Sequence, residues 1–256
     1  MQAMPALLPG KRVAILGSAR GLGLAVAQAA TEAGAEVIGI DAVTGFDHVT
    51  EFYHLDPSDL GAIDRLVAAL PEGLDGLCLL PAHDPAEAPD LALMRGVMGP
   101  KRLAEQMAPR MAQRAAIITQ GAAFDPTRPQ HLALIRAALA LRPETSLGFG
   151  QRWGLIAEPL LVPKLTAWAM VAWAMQHANS WGPLGPRTAC LVTASPDGRL
   201  PAALAATRGL DAGMGQTQAA LTAVFLLSAL AAGITGAALA ADGGLSAETQ
   251  TSLEGL

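Results

Sequence analysis

Gly17, Gly21 and Gly23 stand at Gly-x3-Gly-x-Gly spacing, directly after the apolar run Val13-Ala14-Ile15-Leu16 and at the head of a second apolar run, Leu22 to Ala33. A buried strand that turns sharply into a helix needs residues without a Cβ at the turn. The free N–H groups of the helix's first turn then face outward with the positive end of its dipole. That arrangement suits a phosphate or pyrophosphate, with Ser18, Arg20 and Leu22 on the same loop. In a chain with 27 glycines the spacing alone also reads as a turn without a ligand. Context adds to it. Gly34 closes the helix, and the next strand, Glu36 to Ile40, ends on Asp41. An acid there, about 20 residues beyond the glycines, is placed to accept hydrogen bonds from the ribose hydroxyls of a dinucleotide. Its charge would repel a 2′-phosphate, so NAD is favoured over NADP as the cofactor.

The elements around this loop alternate. Glu51 to Leu55 reads as a third strand ending at Asp56, and Ser58 or Asp59 caps the helix carrying Leu60, Ile63, Leu66 and Val67. Leu74 to Leu80 is a fourth strand, and the loop Pro81-Ala82-His83-Asp84-Pro85 comes after it. A longer helix is expected over Leu91 to Gln113, bent near Gly99-Pro100, then a fifth strand over Ala115 to Thr119. This order argues for an α/β fold, a Rossmann-type doubly wound parallel sheet of about seven strands in a single domain, with ligands at the strands' carboxyl ends.

Residues 124 to 160 are less regular: a turn at Phe124-Asp125-Pro126, a short helix from His131 to Leu141, and a loop over Leu147 to Trp153. The segment reads as a lid over the site or as an insertion without function. Pro163 opens the next helix, to about Ala178, with Lys164 its one certain charge before His177. A helix apolar nearly all round must be buried on several sides, so packing against a partner subunit is expected there. Thr188 to Thr193 is the sixth strand. The last helix, Gln216 to Ala232, leads to a seventh strand near Ala237 to Ala241 and to Asp242-Gly243-Gly244.

Composition narrows the classes. With 256 residues, a net charge of −5 and a pI near 5.5, the chain has length for one large domain and no basic footprint for nucleic acid. Only 15% of residues are charged and 52% are apolar, which points to burial between subunits as well as within one. Cys78 and Cys190 fall in predicted strands and read as reduced core thiols, as in a cytoplasmic protein. Thr217 to Ala241 carries no charge and is long enough to span a bilayer, but Gly233-Ile234-Thr235-Gly236 breaks it, so no membrane span is expected. Histidines, cysteines and acids form no metal-ligand cluster in the sequence.

Taken together, Gly17 to Gly23, Asp41, Asp56, and Ile234-Thr235-Gly236 with Asp242-Gly243-Gly244 after it resemble the short-chain dehydrogenase/reductase family over nearly the whole chain. The segment before the 163–178 helix resembles the branch containing 3α-hydroxysteroid dehydrogenase/carbonyl reductase. The resemblance implies NAD(P) binding through the glycine loop, Asp41, Asp56 and Ala82. It also implies homo-oligomers, dimers or tetramers, built through the 163–178 helix and the C-terminal helix and strand. In the family a tyrosine exchanges the proton, a lysine four residues later holds the nicotinamide ribose, and a serine and an asparagine assist.

Here the lysine position matches Lys164, but Leu160 stands where the tyrosine belongs, and the chain's one tyrosine is Tyr53. Gln120 falls at the serine position and Gly96 at the asparagine position. Candidate substitutes are His83, at the nicotinamide end or merely filling a loop, and Glu158, a base if buried and a solvated carboxylate if not. Gln120 can donate a hydrogen bond but cannot move a proton. The sequence thus describes an NAD-binding oxidoreductase-like chain without the usual proton-transfer groups. Its alternative is a non-enzymatic dinucleotide sensor or partner subunit.

Overall fold

The computed structural model describes residues 6–82, 84, 86–123, 129–207 and 212–254. Seven strands form one parallel sheet in the order β3-β2-β1-β4-β5-β6-β7. The chain enters through β1 (Arg12–Leu16), crosses by α1 (Gly21–Glu32) to β2 (Glu36–Asp41), and reaches the edge strand β3 (Glu51–His54). From there α2 (Leu60–Ala69) returns it across the sheet to β4 (Gly76–Leu79), on the other side of β1. This reversal between β1 and β4 leaves a crevice at their carboxyl ends. All four residues of β4 and the last four of β1 are buried, as expected for strands covered on both faces.

The long helix expected over 91–113 is shorter and interrupted: α3 (Pro89–Leu93), a π turn (Met94–Met98), then α4 (Gly99–Met107). Pro100 has no N–H to give the carbonyl four residues back, and the wider π turn takes up that mismatch. After β5 (Ala116–Gly121) comes the irregular region. The expected turn at 124–126 lies outside the described residues. The chain continues in α5 (Pro129–Leu139), then in two single turns, α6 (Pro143–Ser146) and α7 (Phe149–Arg152), the second where a loop was expected. The turns form because Asp90 at the start of α3 accepts from the N–H groups of Gly148 (2.6 Å) and Gly150 (2.7 Å), anchors far away in sequence.

The helix α8 (Leu161–Gln176) lies on β5 and β6 and is covered by α5 and α3. Leu165, Trp168, Met170, Val171 and Trp173 are buried within the chain, while Met175 on the same helix is 49% exposed. Beyond β6 (Arg187–Val192) and the short α9 (Ala202–Thr207) comes α10 (Ala212–Leu227), which packs beside α1 on the opposite face of the sheet. The second edge strand is β7 (Ala237–Ala240). A further helix, α11 (Leu245–Glu254), was not anticipated; the Asp242 carboxylate begins it by accepting from the N–H groups of Gly244 and Ser246, each at 2.9 Å.

Among the described residues no helix is long and apolar enough to cross a membrane. Cys78 and Cys190 are unpaired and buried, and burial pushes both thiols up to about 12. Asp90→Ala should loosen residues 143–157 selectively. Hydrogen exchange there should accelerate by an amount equivalent to about 2 kcal/mol, the scale of hydrogen bonds to a charged group, while β1 and β4 keep wild-type protection.

Candidate functional site

At the carboxyl ends of β1 and β4 the chain is pressed together so closely that two glycines are obligatory. A Cβ on Gly17, which sits at φ +90°, would lie 2.0 Å from the carbonyl oxygen of Leu80. One on Gly23 would lie 1.9 Å from the carbonyl oxygen of Gly17. The result is a loop folded flat under the first turn of α1, whose N-cap position, Arg20, is extended and offers no side-chain cap. Ser18 Oγ on this loop is buried without a hydrogen-bond partner among the described residues. An uncapped helix start over a glycine cradle fits a dinucleotide's pyrophosphate.

From this loop a cleft of about 1500 Å³ runs past the end of β4 to α8. Arg20, Gly21 and Leu22 line one end. Leu80, Pro81 and Ala82 line the middle, with Gln120, Leu160 and Lys164 beyond. The structure therefore brings together the glycine loop, Ala82, Gln120 and Lys164, four stretches that only the resemblance connected. Lys164 Nζ makes no hydrogen bond or ion pair among the described residues, and it is exposed into the cleft. Leu160, one turn before it, is 78% exposed and lines the same wall. Tyr53 is far away on edge strand β3, four strand spacings from β5, roughly 19 Å. Its hydroxyl donates to Glu51 (2.6 Å), and that bond raises its pKa.

Several expected roles are altered. Asp41 is 5% exposed and does not line the cleft; its carboxylate accepts from the N–H groups of Ala19 and Val43, each at 3.0 Å. It clips the glycine loop to β2. Asp56 also lies outside the cleft lining, its carboxylate gripped by the guanidinium of Arg95 and by the N–H and hydroxyl of Ser58. Arg95 holds the Asp56 carboxyl well below the usual carboxylate range. Gln120 lies inside β5 rather than after it, and its amide donates to Thr193 Oγ1 (3.0 Å) and the Pro196 carbonyl (2.8 Å). It staples the loop after β6, so its donor is already engaged. Glu158 is exposed and does not line the cleft, which removes the burial a base there required. His83 lies outside the described residues. Gly96 lies in the π turn, where a Cβ would stand 3.0 Å from the Thr166 side chain.

Other groups enter the cleft from places the sequence did not mark. Arg95 reaches it from the π turn and pairs there with Glu87, whose side chain is 7% exposed. Asp197 comes from the loop after β6 and lies beside Gly21. His131 comes from α5, its ring against that of Trp168 with centroids 4.7 Å apart. None carries a spacing signal, because each reaches the cleft through packing between elements distant in sequence.

No family model matches the chain. A curated relative, the coniferyl-alcohol dehydrogenase of Pseudomonas sp. (strain HR199 / DSM 7063), is 25% identical over 178 residues, 68% of each chain. Among solved structures, the 3-alpha-hydroxysteroid dehydrogenase of Pseudomonas sp. B-0831 complexed with NADH superposes with a TM-score of 0.71 at 24% identity, over 94% of this chain and 99% of that one. A short-chain dehydrogenase/reductase of the glucose/ribitol dehydrogenase type from Brucella melitensis gives 0.67 at 17%, over 94% and 98%. By fold the chain is similar to the short-chain dehydrogenases/reductases, whose glycine-loop motif it also resembles. In that fold the cleft lies at the carboxyl ends of the strands, where the reversal between β1 and β4 places it.

Gly23→Ala should lower the melting temperature by roughly 4–8 °C, since forcing a Cβ into a carbonyl contact costs about 2 kcal/mol or more in a domain of this size. A separate test concerns acid. The Asp56 carboxyl is depressed in the folded state, so the stability it contributes is present above the unfolded value near 3.9 and is lost as pH falls below it. Urea midpoints measured from pH 7 to pH 3 should hold steady and then drop, and the drop should be shallower in Asp56→Asn.

Proposed function

We propose that the chain binds NAD(H) in this cleft as an oxidoreductase-type protein whose usual proton-transfer residues are replaced. The carrying observation is that one continuous cleft joins the glycine cradle to Lys164, while the residue one turn before Lys164 is an exposed leucine. The N–H groups at the start of α1 would hold the pyrophosphate, with Arg20 at the mouth, and Lys164 is free to take the ribose hydroxyls of the nicotinamide half. Bound there, the nicotinamide supplies a hydride donor or acceptor. The apolar walls, from Leu80 to Trp168, exclude water around it. NAD is favoured over NADP because the Asp41 carboxylate, bonded to the Ala19 N–H, puts a negative charge under the glycine loop that disfavours a 2′-phosphate nearby without touching it. The steroid dehydrogenase of similar fold, solved with NADH, supports the same cofactor.

Leu160 cannot exchange a proton, and the Gln120 amide is occupied by the loop after β6, so turnover by the family's usual route is expected to be slow or absent. A second reading, a dinucleotide sensor or partner subunit without catalysis, rests on the same two observations. For the oligomer we propose the β7 edge and the neighbouring C-terminal helix. The strand Ala237–Ala240 is short and uncharged, and Leu230, in the 3-10 turn Ala229–Ala231 that precedes it in the chain, is 70% exposed.

Thermal melts decide the cofactor. At a ligand concentration of 100 times Kd, binding stabilises the folded state by about 2.7 kcal/mol, which should raise the melting temperature by roughly 5–10 °C with NAD or NADH and less with NADP. No rise with any of the three overturns the proposal. Reversal toward NADP removes the argument from Asp41. In the same protein L160Y should raise NADH-dependent reduction of aromatic aldehydes above the wild-type rate; no increase would show that more than the phenol is missing.

A further inference from the structure

A proton route has to come from a side chain that lines the cleft, can take and give up a proton and is not already committed. Among the described residues the cleft's acids are all engaged. Glu87 is ion-paired with Arg95, Asp197 accepts from the Ser195 hydroxyl (2.6 Å), and Asp242 holds the start of α11. Lys164 brings a positive charge and no acceptor. One imidazole lines the cleft among the described residues, that of His131.

Its setting is built rather than incidental. Leu160, Lys164 and Trp168 succeed one another at four-residue steps on α8, hence on one face, and all three line the cleft. Trp168 is fixed by its indole N–H, which donates to the Ala123 carbonyl at 2.6 Å. The His131 ring lies against that indole at 31°. The His131 Nδ1 is buried and has no hydrogen-bond partner among the described residues, a condition that is unfavourable unless something supplies one. The helix that carries it is held at its far end by Lys101, whose ammonium donates to the Leu139 carbonyl.

We propose that His131 is the acid/base residue of this cleft, receiving the proton of an aromatic or other apolar primary alcohol, and returning it when the carbonyl is reduced. The inference rests on the dinucleotide reading for its hydride partner. In oxidation the carbinol C–H bond breaks and its electron pair leaves as hydride to a nicotinamide dinucleotide. The O–H bond breaks, its proton passes to an imidazole nitrogen of His131, and its electron pair becomes the second bond of the carbonyl. Solvent then takes the proton from the imidazolium. The charged groups on elements packed against α5 that bear on this titration are Lys164 on α8, Arg95 in the π turn and Lys101 on α4; Arg136 lies on α5 itself.

The test uses the full chain and H131Q, with cinnamyl alcohol and cinnamaldehyde as probes. In the wild type, the imidazole resonance that is absent from H131Q should shift when cinnamaldehyde is added, whether or not NADH is present. NADH-dependent reduction should fall about 100-fold or more in H131Q with the NADH Kd unchanged within about twofold, and one limb of the wild-type pH–rate profile should vanish. An imidazole that ignores the aldehyde, or turnover equal in both proteins, overturns the proposal. A wild type that binds NADH yet reduces nothing also overturns it, while the dinucleotide reading stands. If NADH fails to bind, that reading falls instead, and the imidazole shift alone decides: a shift sustains His131 as the cleft's hydroxyl and carbonyl contact, and none removes it.

Discussion

The contact between the end of β1 and the end of β4 governs what the rest of the molecule can do. Gly17 lies against the Leu80 carbonyl and Gly23 against the Gly17 carbonyl, so backbone meets backbone with no side chain between them. Such an approach brings α1's first turn down onto the strand ends and leaves its N–H groups facing open space rather than a side-chain cap. It also sets where β2 and its Asp41 must lie. The carboxylate then reaches Ala19 and Val43 together, and the glycine loop is held from below as well as from the side.

A chain with few charges uses many of them on its own backbone. Asp90 accepts from Gly148 and Gly150, Asp242 from Gly244 and Ser246, and Asp41 from two loop N–H groups. The same holds for a cation. Arg187, 9% exposed, donates to the carbonyls of Leu226 and Ser228 at the end of α10, where the helix dipole favours positive charge. Each of these ions ends a helix or fastens a turn. Their number explains how irregular connections stay ordered around an apolar core, and why few charged groups are left over in the cleft.

The region between β5 and α8 has two consequences. By laying α5 on α8 it buries a helix whose composition alone calls for a neighbouring subunit. It also carries His131 to the wall formed by Leu160, Lys164 and Trp168. A segment that reads as a lid or as an insertion without function thus borders the part of the cleft where Leu160 stands.

The strand, glycine turn, helix and second strand of residues 12 to 41 were legible, because these elements are contiguous and their geometry is local. The alternation of strands and helices came from hydrophobic period, which is a property of neighbours in sequence. The absence of a phenol beside Lys164 was legible too, since the chain has one tyrosine. Tertiary structure decided the rest. It turned Asp41 and Asp56 from ligand contacts into a loop clip and an ion pair, engaged Gln120 with the loop after β6, exposed Glu158, and brought Glu87, Arg95 and His131 into the cleft. Side-chain direction and burial depend on groups tens of residues away, and no spacing within a segment records which distant carbonyl or guanidinium will reach a given carboxylate.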